Sequence, residues 1–219
     1  MKRSDVIKKY LVLGILFLLP IIVYLFFASG VNHFAKLPVL TPMVKELDAF
    51  STSNGDKITL EGHITILGYF GKDLESNHAN AYNLAHKIYK KNFQFKDFQF
   101  VMIMPEGTEK KVEELNKTLS DIADTSNWYF VYGSVEEIKE QFSSLETNYT
   151  LDENISTPYV FIIDKERNLR GRDKDDVEIQ FGFDARDYSE INNAMGDDVK
   201  VILAEYRLAL KKYNSNREI

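Results

Sequence analysis

The sequence contains no cysteine, and that removes a block of chemistry before any motif is read. Disulfide frameworks, thiolate metal sites, Cys nucleophiles and dithiol redox centres are all closed to it. Basic charge is also short, with 27 Lys and Arg against 33 Asp and Glu and a formal charge of −6. The first ten residues hold four basic side chains and one acidic one, so residues 11–219 carry −9. A chain this acidic has no basic stripe with which to displace counterions from nucleic-acid phosphates, and it does not adhere to anionic lipid. The pairs Lys90-Lys91 and Lys110-Lys111 read as solvated helix faces. Histidine is scarce as well: His33, His63, His78 and His86. The last two are eight residues apart, roughly 12 Å along one helix face, whereas a chelating pair stands at i, i+4, so the four imply no metal site. No Ser-His-Asp order, no glycine-rich phosphate loop, no internal repeat and no low-complexity tract is present. What is there suits a globular fold, with 44% apolar and 27% charged residues.

One long apolar run stands out. Residues 11–27, LVLGILFLLPIIVYLFF, hold no charge, and extended to Gly30 they reach the roughly 20 residues that a membrane-spanning helix needs. Lys2, Arg3, Lys8 and Lys9 precede the run, which places the N-terminus in the cytoplasm and the rest of the chain on the far side. The alternative is a cleaved signal peptide with Ala28-Ser29-Gly30 as its small-residue site. The run is longer than the 7 to 15 residues, roughly, of a removable apolar region and carries Tyr24 near the outer interface, which favours an uncleaved anchor. Pro20 is tolerable inside such a helix. The expected organisation is a basic cytoplasmic segment at 1–10, a transmembrane anchor at 11–30, a juxtamembrane tether at 31–47 with Pro38 and Pro42, a folded domain at 48–213 and a tail at 214–219. The domain is expected to be periplasmic or otherwise extracytoplasmic.

Within the domain, Asn54-Gly55 between two β-prone runs, Phe50 to Leu60, predicts a hairpin. Residues 64–70 (ITILGYF) and 98–104 (FQFVMIM) are continuous apolar runs, the pattern of strands buried on both faces. Between them, Ala81, Leu84, Ala85 and Ile88 give helical spacing over 79–91, completing a βαβ unit. A helix at 108–124 presents Val112, Leu115, Leu119, Ile122 and Ala123 on one stripe, and residues 128–132 (WYFVY) form the next strand. Ser134 and Glu137 make a capping box for a helix at 135–145. Strands at 159–163 and 177–183 follow, then a helix at 197–213 with Val199, Ile202, Leu203, Tyr206 and Leu210 inward. This order predicts an α/β domain with a mixed, mainly parallel sheet flanked by helices.

Thr157-Pro158-Tyr-Val-Phe-Ile-Ile-Asp164 resembles the segment of thioredoxin-like proteins in which a cis-proline precedes a strand that ends in Asp and a turn. More narrowly, the single N-terminal span, the hairpin and a strand ending in Tyr69-Phe70 resemble the Sco/SenC family of membrane-anchored copper-handling proteins, over about residues 48–213. The resemblance implies a thioredoxin-like fold and a cis bond at Pro158. In that family a CxxxC motif after the first buried strand, together with a later His, binds copper. Counting from Phe70 places Asp73 and Asn77 at the two Cys positions, and counting back from Asp164 places Ser156 at the His position. Thiolate selects Cu(I), and Asp, Asn and Ser do not. The resemblance therefore implies a member without the family's copper site or redox chemistry, which needs no cofactor and acts through a protein partner, such as a respiratory oxidase in assembly or another exported complex.

Asp73, Glu75, Asn77 and His78 form the most polar cluster at the expected motif loop. Glu75, His78 and Pro158 are candidates for contact with a partner or ligand; the competing reading is a solvated loop capping the next helix from Asn77 or His78. An enzymatic alternative would make Asp73 or Glu75 a base and His78 an acid or ligand of a rebuilt hydrolytic or metal-dependent site. Asp173 to Asp176 with Glu178 lacks the glycine and spacing of a calcium loop and reads as a surface turn. Trp128 sits in a core strand. Asn116, Asn148 and Asn154 begin glycosylation triplets that matter only in a glycosylating host.

Overall fold

A computed structural model describes residues 3–28, 36–174 and 177–215, in two units, Met1–Ala35 and Lys36–Ile219. The first unit holds helix α1, Arg3–Ala28, with Pro20 inside it. Its described side chains from Tyr10 to Phe26 are almost all exposed, Leu16 at 65% and Phe26 at 72%. Among the described residues, whose side chains in this helix stop at Phe26, no helix is long and apolar enough to cross a membrane. Ser29 and Gly30, with the first five residues of the expected tether, lie outside the described residues.

The second unit is built on a seven-stranded sheet. Its elements are β1 (Val39–Thr41), β2 (Ile64–Phe70), α2 (Leu74–Leu84) continued through a π-turn (Ala85–Tyr89) into α3 (Lys90–Asn92), β3 (Phe98–Pro105), α4 (Glu109–Ser120), β4 (Trp128–Gly133), α5 (Val135–Ser143), β5 (Ser156–Ile163), β6 (Leu169–Arg170), β7 (Arg172–Lys174), β8 (Val177–Gln180), β9 (Phe183–Asp184), α6 (Tyr188–Glu190), a second π-turn (Ile191–Met195) and α7 (Gly196–Ser215). The strands run in the order β1-β6-β5-β2-β3-β4, with β9 also on β5.

The apolar runs in β2 and β3 are continuous because each strand serves two cores. Ile64, Ile66 and Phe70 join Phe98, Phe100, Met102 and Met104 beneath α2, α4 and α7. Leu67 and Tyr69 join Val101 and Ile103 on the opposite face, with Ile138 and Phe142 of α5. Trp128 lies in a core strand, 4% exposed. The α5 capping box forms in both directions, Glu137 N donating to Ser134 Oγ at 3.3 Å and Ser134 N to the Glu137 carboxylate at 2.8 Å. On the second core's side, the Tyr69 hydroxyl donates to buried Gln141. Burial pushes the phenols of Tyr69 and Tyr89 up, Tyr89 to about 12.

Six features depart from the sequence reading. First, the sheet is mixed but not mainly parallel: β2, β3 and β4 run parallel, while β5 returns antiparallel to β2 and pairs antiparallel with β6 and β9, as β1 does with β6. Second, the expected tether enters the domain early, because Val39 and Thr41 pair with Arg170 and Leu169. Third, the Asn54-Gly55 turn forms, with Gly55 at φ 85, but no hairpin flanks it. Ser51 makes an isolated bridge to Tyr132 of β4 instead, where an edge strand offers free backbone groups. Fourth, the first domain helix begins at Leu74, not 79, since Leu74 is fully buried and anchors the opening turn. Fifth, the last helical stretch starts at Tyr188, capped by Asp187, and runs on to Ser215. Sixth, no described peptide bond is cis, so Thr157-Pro158 is trans.

The trans bond follows from where the proline sits. Gly68 pairs with Val160 and Phe70 with Ser156, so one residue of β2 faces three of β5, and Pro158 is the middle one. A residue without an N–H fits such a bulge without breaking the ladder, and trans is the default for X-Pro. The acidic stretch after β6 forms the two-stranded β7–β8 sheet; Asp175 and Asp176 of the expected surface turn lie outside the described residues.

Candidate functional site

The carboxyl end of β2 delivers the chain to Gly71, whose φ of 65 few residues other than glycine adopt. A Cβ there would stand 2.3 Å from the Asn154 carbonyl oxygen and 2.7 Å from Ser156 Cβ. This close approach joins two segments. Lys72 N donates to the Asn154 carbonyl at 2.8 Å, and Phe70 pairs with Ser156. The residues at 73 to 78 and at 156 to 158, far apart in sequence, are thus brought to one end of the sheet.

Of the three substituted motif positions, Asn77 and Ser156 are held inside this structure and Asp73 is not. Asp73 is the N-cap residue of α2 and is exposed; its side chain makes no capping bond, while its carbonyl accepts from Ser76 Oγ at 3.0 Å. Asn77, 5% exposed, donates through Nδ2 to the Phe70 carbonyl at 2.9 Å and accepts at Oδ1 from Asn80 Nδ2 at 2.8 Å. Its amide therefore ties α2 to the end of β2. Ser156 donates to Asp152 Oδ2 at 2.9 Å, and its N–H donates to Asp152 Oδ1 at 2.8 Å. The same carboxylate accepts from Asn154 N at 2.9 Å. Asp152 so organises a turn in which Ile155 is held at φ 61 with its side chain buried, a conformation rare for a β-branched residue and common beside functional sites.

The candidate contact residues are dispersed around this brace. Glu75 is exposed, and His78 is half-buried, its ring 6.2 Å from that of Tyr82. Glu75 and His78 stand one turn apart, yet form no ion pair among the described residues. Nor do the described residues include a group of three or more His, Asp or Glu able to hold a metal ion. Pro158 is half-buried, and its carbonyl accepts from Ala185 N at 2.9 Å. A hard or soft cation would need convergent lone pairs; Asn77 Oδ1 already accepts from Asn80, and the Ser156 hydroxyl is turned to donate to Asp152.

No protein-family model and no curated protein matches the chain. Solved structures do. A SCO1/SenC family lipoprotein from Bacillus anthracis str. Ames superposes with a TM-score of 0.53 at 16% identity, covering 78% of this chain and 99% of that one. A proposed protein disulfide isomerase from Bacteroides thetaiotaomicron gives 0.51 at 15% identity, covering 78% and 95%. The fold is thioredoxin-like. At these identities the likeness is one of fold, in a chain without a single cysteine. In this thioredoxin-like frame the Gly71–Lys72 crossing against Asn154–Ser156 occupies the end of the sheet where the resemblance places the motif loop.

Sequence reasoning missed a second polar centre. Arg170, 5% exposed, donates from Nη1 to Asp164 at 2.9 Å, from Nη2 to Glu205 at 2.9 Å, and from Nε and Nη2 to the Leu37 carbonyl at 2.9 and 2.6 Å. Burial pulls its guanidinium down, but the bonds to Asp164 and Glu205 more than offset that and leave it above its ordinary range. Half-buried Arg172 makes a second fork, to both oxygens of buried Asp198 at 2.8 Å. In a chain with 27 basic residues nothing in the spacing separates these two from solvated ones.

Proposed function

We propose that the protein is a membrane-anchored, non-redox, thioredoxin-like binding module that assists assembly of a respiratory oxidase or another exported complex. The observation that carries this reading is the brace at Asn77 and Ser156. Where a Sco-like protein would present soft ligands, this chain spends both side chains on its own backbone and on Asp152. A site so arranged holds the loop in place for recognition and has no electron or metal to pass on. The charge-free run at 11–27, its helical conformation and its exposed apolar side chains support an anchor through residues 11–30. The basic residues before it support a cytoplasmic N-terminus and an extracytoplasmic domain. Chemical crosslinking followed by capture of the full chain from solubilised membranes tests this directly. The expected result is a discrete membrane complex enriched over a control holding residues 1–35 alone, and enrichment of the same proteins by that control would contradict a domain-borne partner.

A further inference from the structure

At the free edge of the sheet, away from the motif loop, a cavity of about 200 Å³ opens between β4, α4 and the turn at Thr52–Asn54. Its wall is aromatic, because Trp128, Phe130 and Tyr132 alternate along β4 and so share one face. Glu109 and Glu113, one helical turn apart on α4, also line it. Neither carboxylate has an ion-pair partner among the described residues; Glu109 accepts only from Gly107 N, at 3.0 Å. Burial and then the two carboxylates push the Tyr132 phenol up to about 12, so the negative potential falls on the ring. Trp128 is 4% exposed, and its Nε1 is the one buried side-chain polar atom without a partner among the described residues; as a donor it calls for an acceptor, which a carbonyl of an entering chain supplies and a guanidinium does not.

Two further points narrow the occupant. The volume lies below the roughly 300–1,000 Å³ of pockets for cofactors and drug-sized ligands, so one side chain fits better than a whole small molecule. The backbone beside the cavity is also unfinished. Tyr132 exchanges both its bonds with Ser51 on the outer side of β4, at 2.8 and 3.3 Å. Phe130, two residues earlier, turns its N–H and carbonyl to that same side, where no backbone partner stands among the described residues.

We propose that this cavity receives an arginine side chain from an extended segment of a protein partner, the guanidinium lying against the aromatic wall between Glu109 and Glu113 while the segment pairs with Phe130 at the edge of β4. The proposal rests on the reading of the chain as a binding module and gives that module a partner chemistry: a basic, extended segment meeting an acidic domain.

Trp128 is the single tryptophan, so its emission reports the cavity. The full chain in maltoside micelles is titrated with a capped pentapeptide of valine and threonine around a central arginine. A saturable emission change is expected, weakened about tenfold in the E109Q/E113Q variant and abolished when citrulline replaces arginine in the peptide. Citrulline has nearly the same shape without the charge, so this arm stands even if the double variant fails to fold. Arginine amide alone should bind at least tenfold more weakly than the peptide; equal affinity would overturn the extended-segment occupant in favour of a small organic cation. No saturable change, or equal binding of the citrulline peptide, overturns the site. Crosslinked capture of a partner alongside such a failure would leave the binding module standing and remove only this cavity from it.

Discussion

Replacing Arg170 by methionine should cost the second unit about 3–5 kcal/mol of stability, seen as a lower urea midpoint at unchanged slope. Among the described residues the guanidinium is the only cation that reaches buried Asp164, which is 1% exposed. Without it, that carboxylate keeps the N–H bonds from Glu166, Asn168 and the Asn168 amide at 3.0, 2.8 and 3.1 Å but loses the charge that balances it in a low-dielectric interior. The Leu37 carbonyl loses two donors at the same time. Adding Asp164→Asn to Arg170→Met should recover part of the loss, because the stranded charge is then gone and the two changes share one network. A loss below about 1 kcal/mol in Arg170→Met would show that the network is solvated and that the account of it is wrong.

Gly71→Ala is the second large expected effect, about 3 kcal/mol. Left-handed backbone costs a residue with a Cβ roughly 1–2 kcal/mol, and the remainder comes from pushing the Asn154 carbonyl away from a methyl group that would stand at 2.3 Å. The bond from Lys72 N to that carbonyl is strained by the same displacement. Gly55→Ala is the internal control. Gly55 also has a positive φ, 85, but nothing lies within 4 Å of the added Cβ, so only the backbone term applies. Denaturant unfolding of the two variants should therefore differ by 1 kcal/mol or more; equal losses would mean that the two loops at the site do not approach as closely as described.

What was legible in the sequence was whatever burial or a local bond writes into a short window. Continuous apolar runs disclosed β2 and β3 because both of their faces are covered, and Ser134 with Glu137 disclosed the start of α5 because a capping box is complete within four residues. Features set by distant partners were not legible. Asn54-Gly55 does turn the chain, but Ser51 finds its partner in Tyr132, some eighty positions away. The tether reading failed at Val39 because Arg170 and Leu169 supply the pairing. Pro158 looked like a cis-proline from its neighbours alone, while the bulge that accommodates the trans form depends on the register of β5 against β2. The motif positions were counted from Phe70 and Asp164, and the structure brings their two segments together. That Asn77 and Ser156 would be consumed by internal bonds required knowing that Phe70 O and Asp152 lie beside them.

Whether the motif positions have left metal handling is measured by titrating the purified full chain, in detergent, with Cu(I) held by a competing chelator. No stoichiometric binding at submicromolar affinity is expected of a chain without thiolates whose Asn77 and Ser156 are committed to the fold. One equivalent of copper bound at that affinity, lost on Asn77→Ala or Ser156→Ala, would contradict that expectation and return the protein to metal handling.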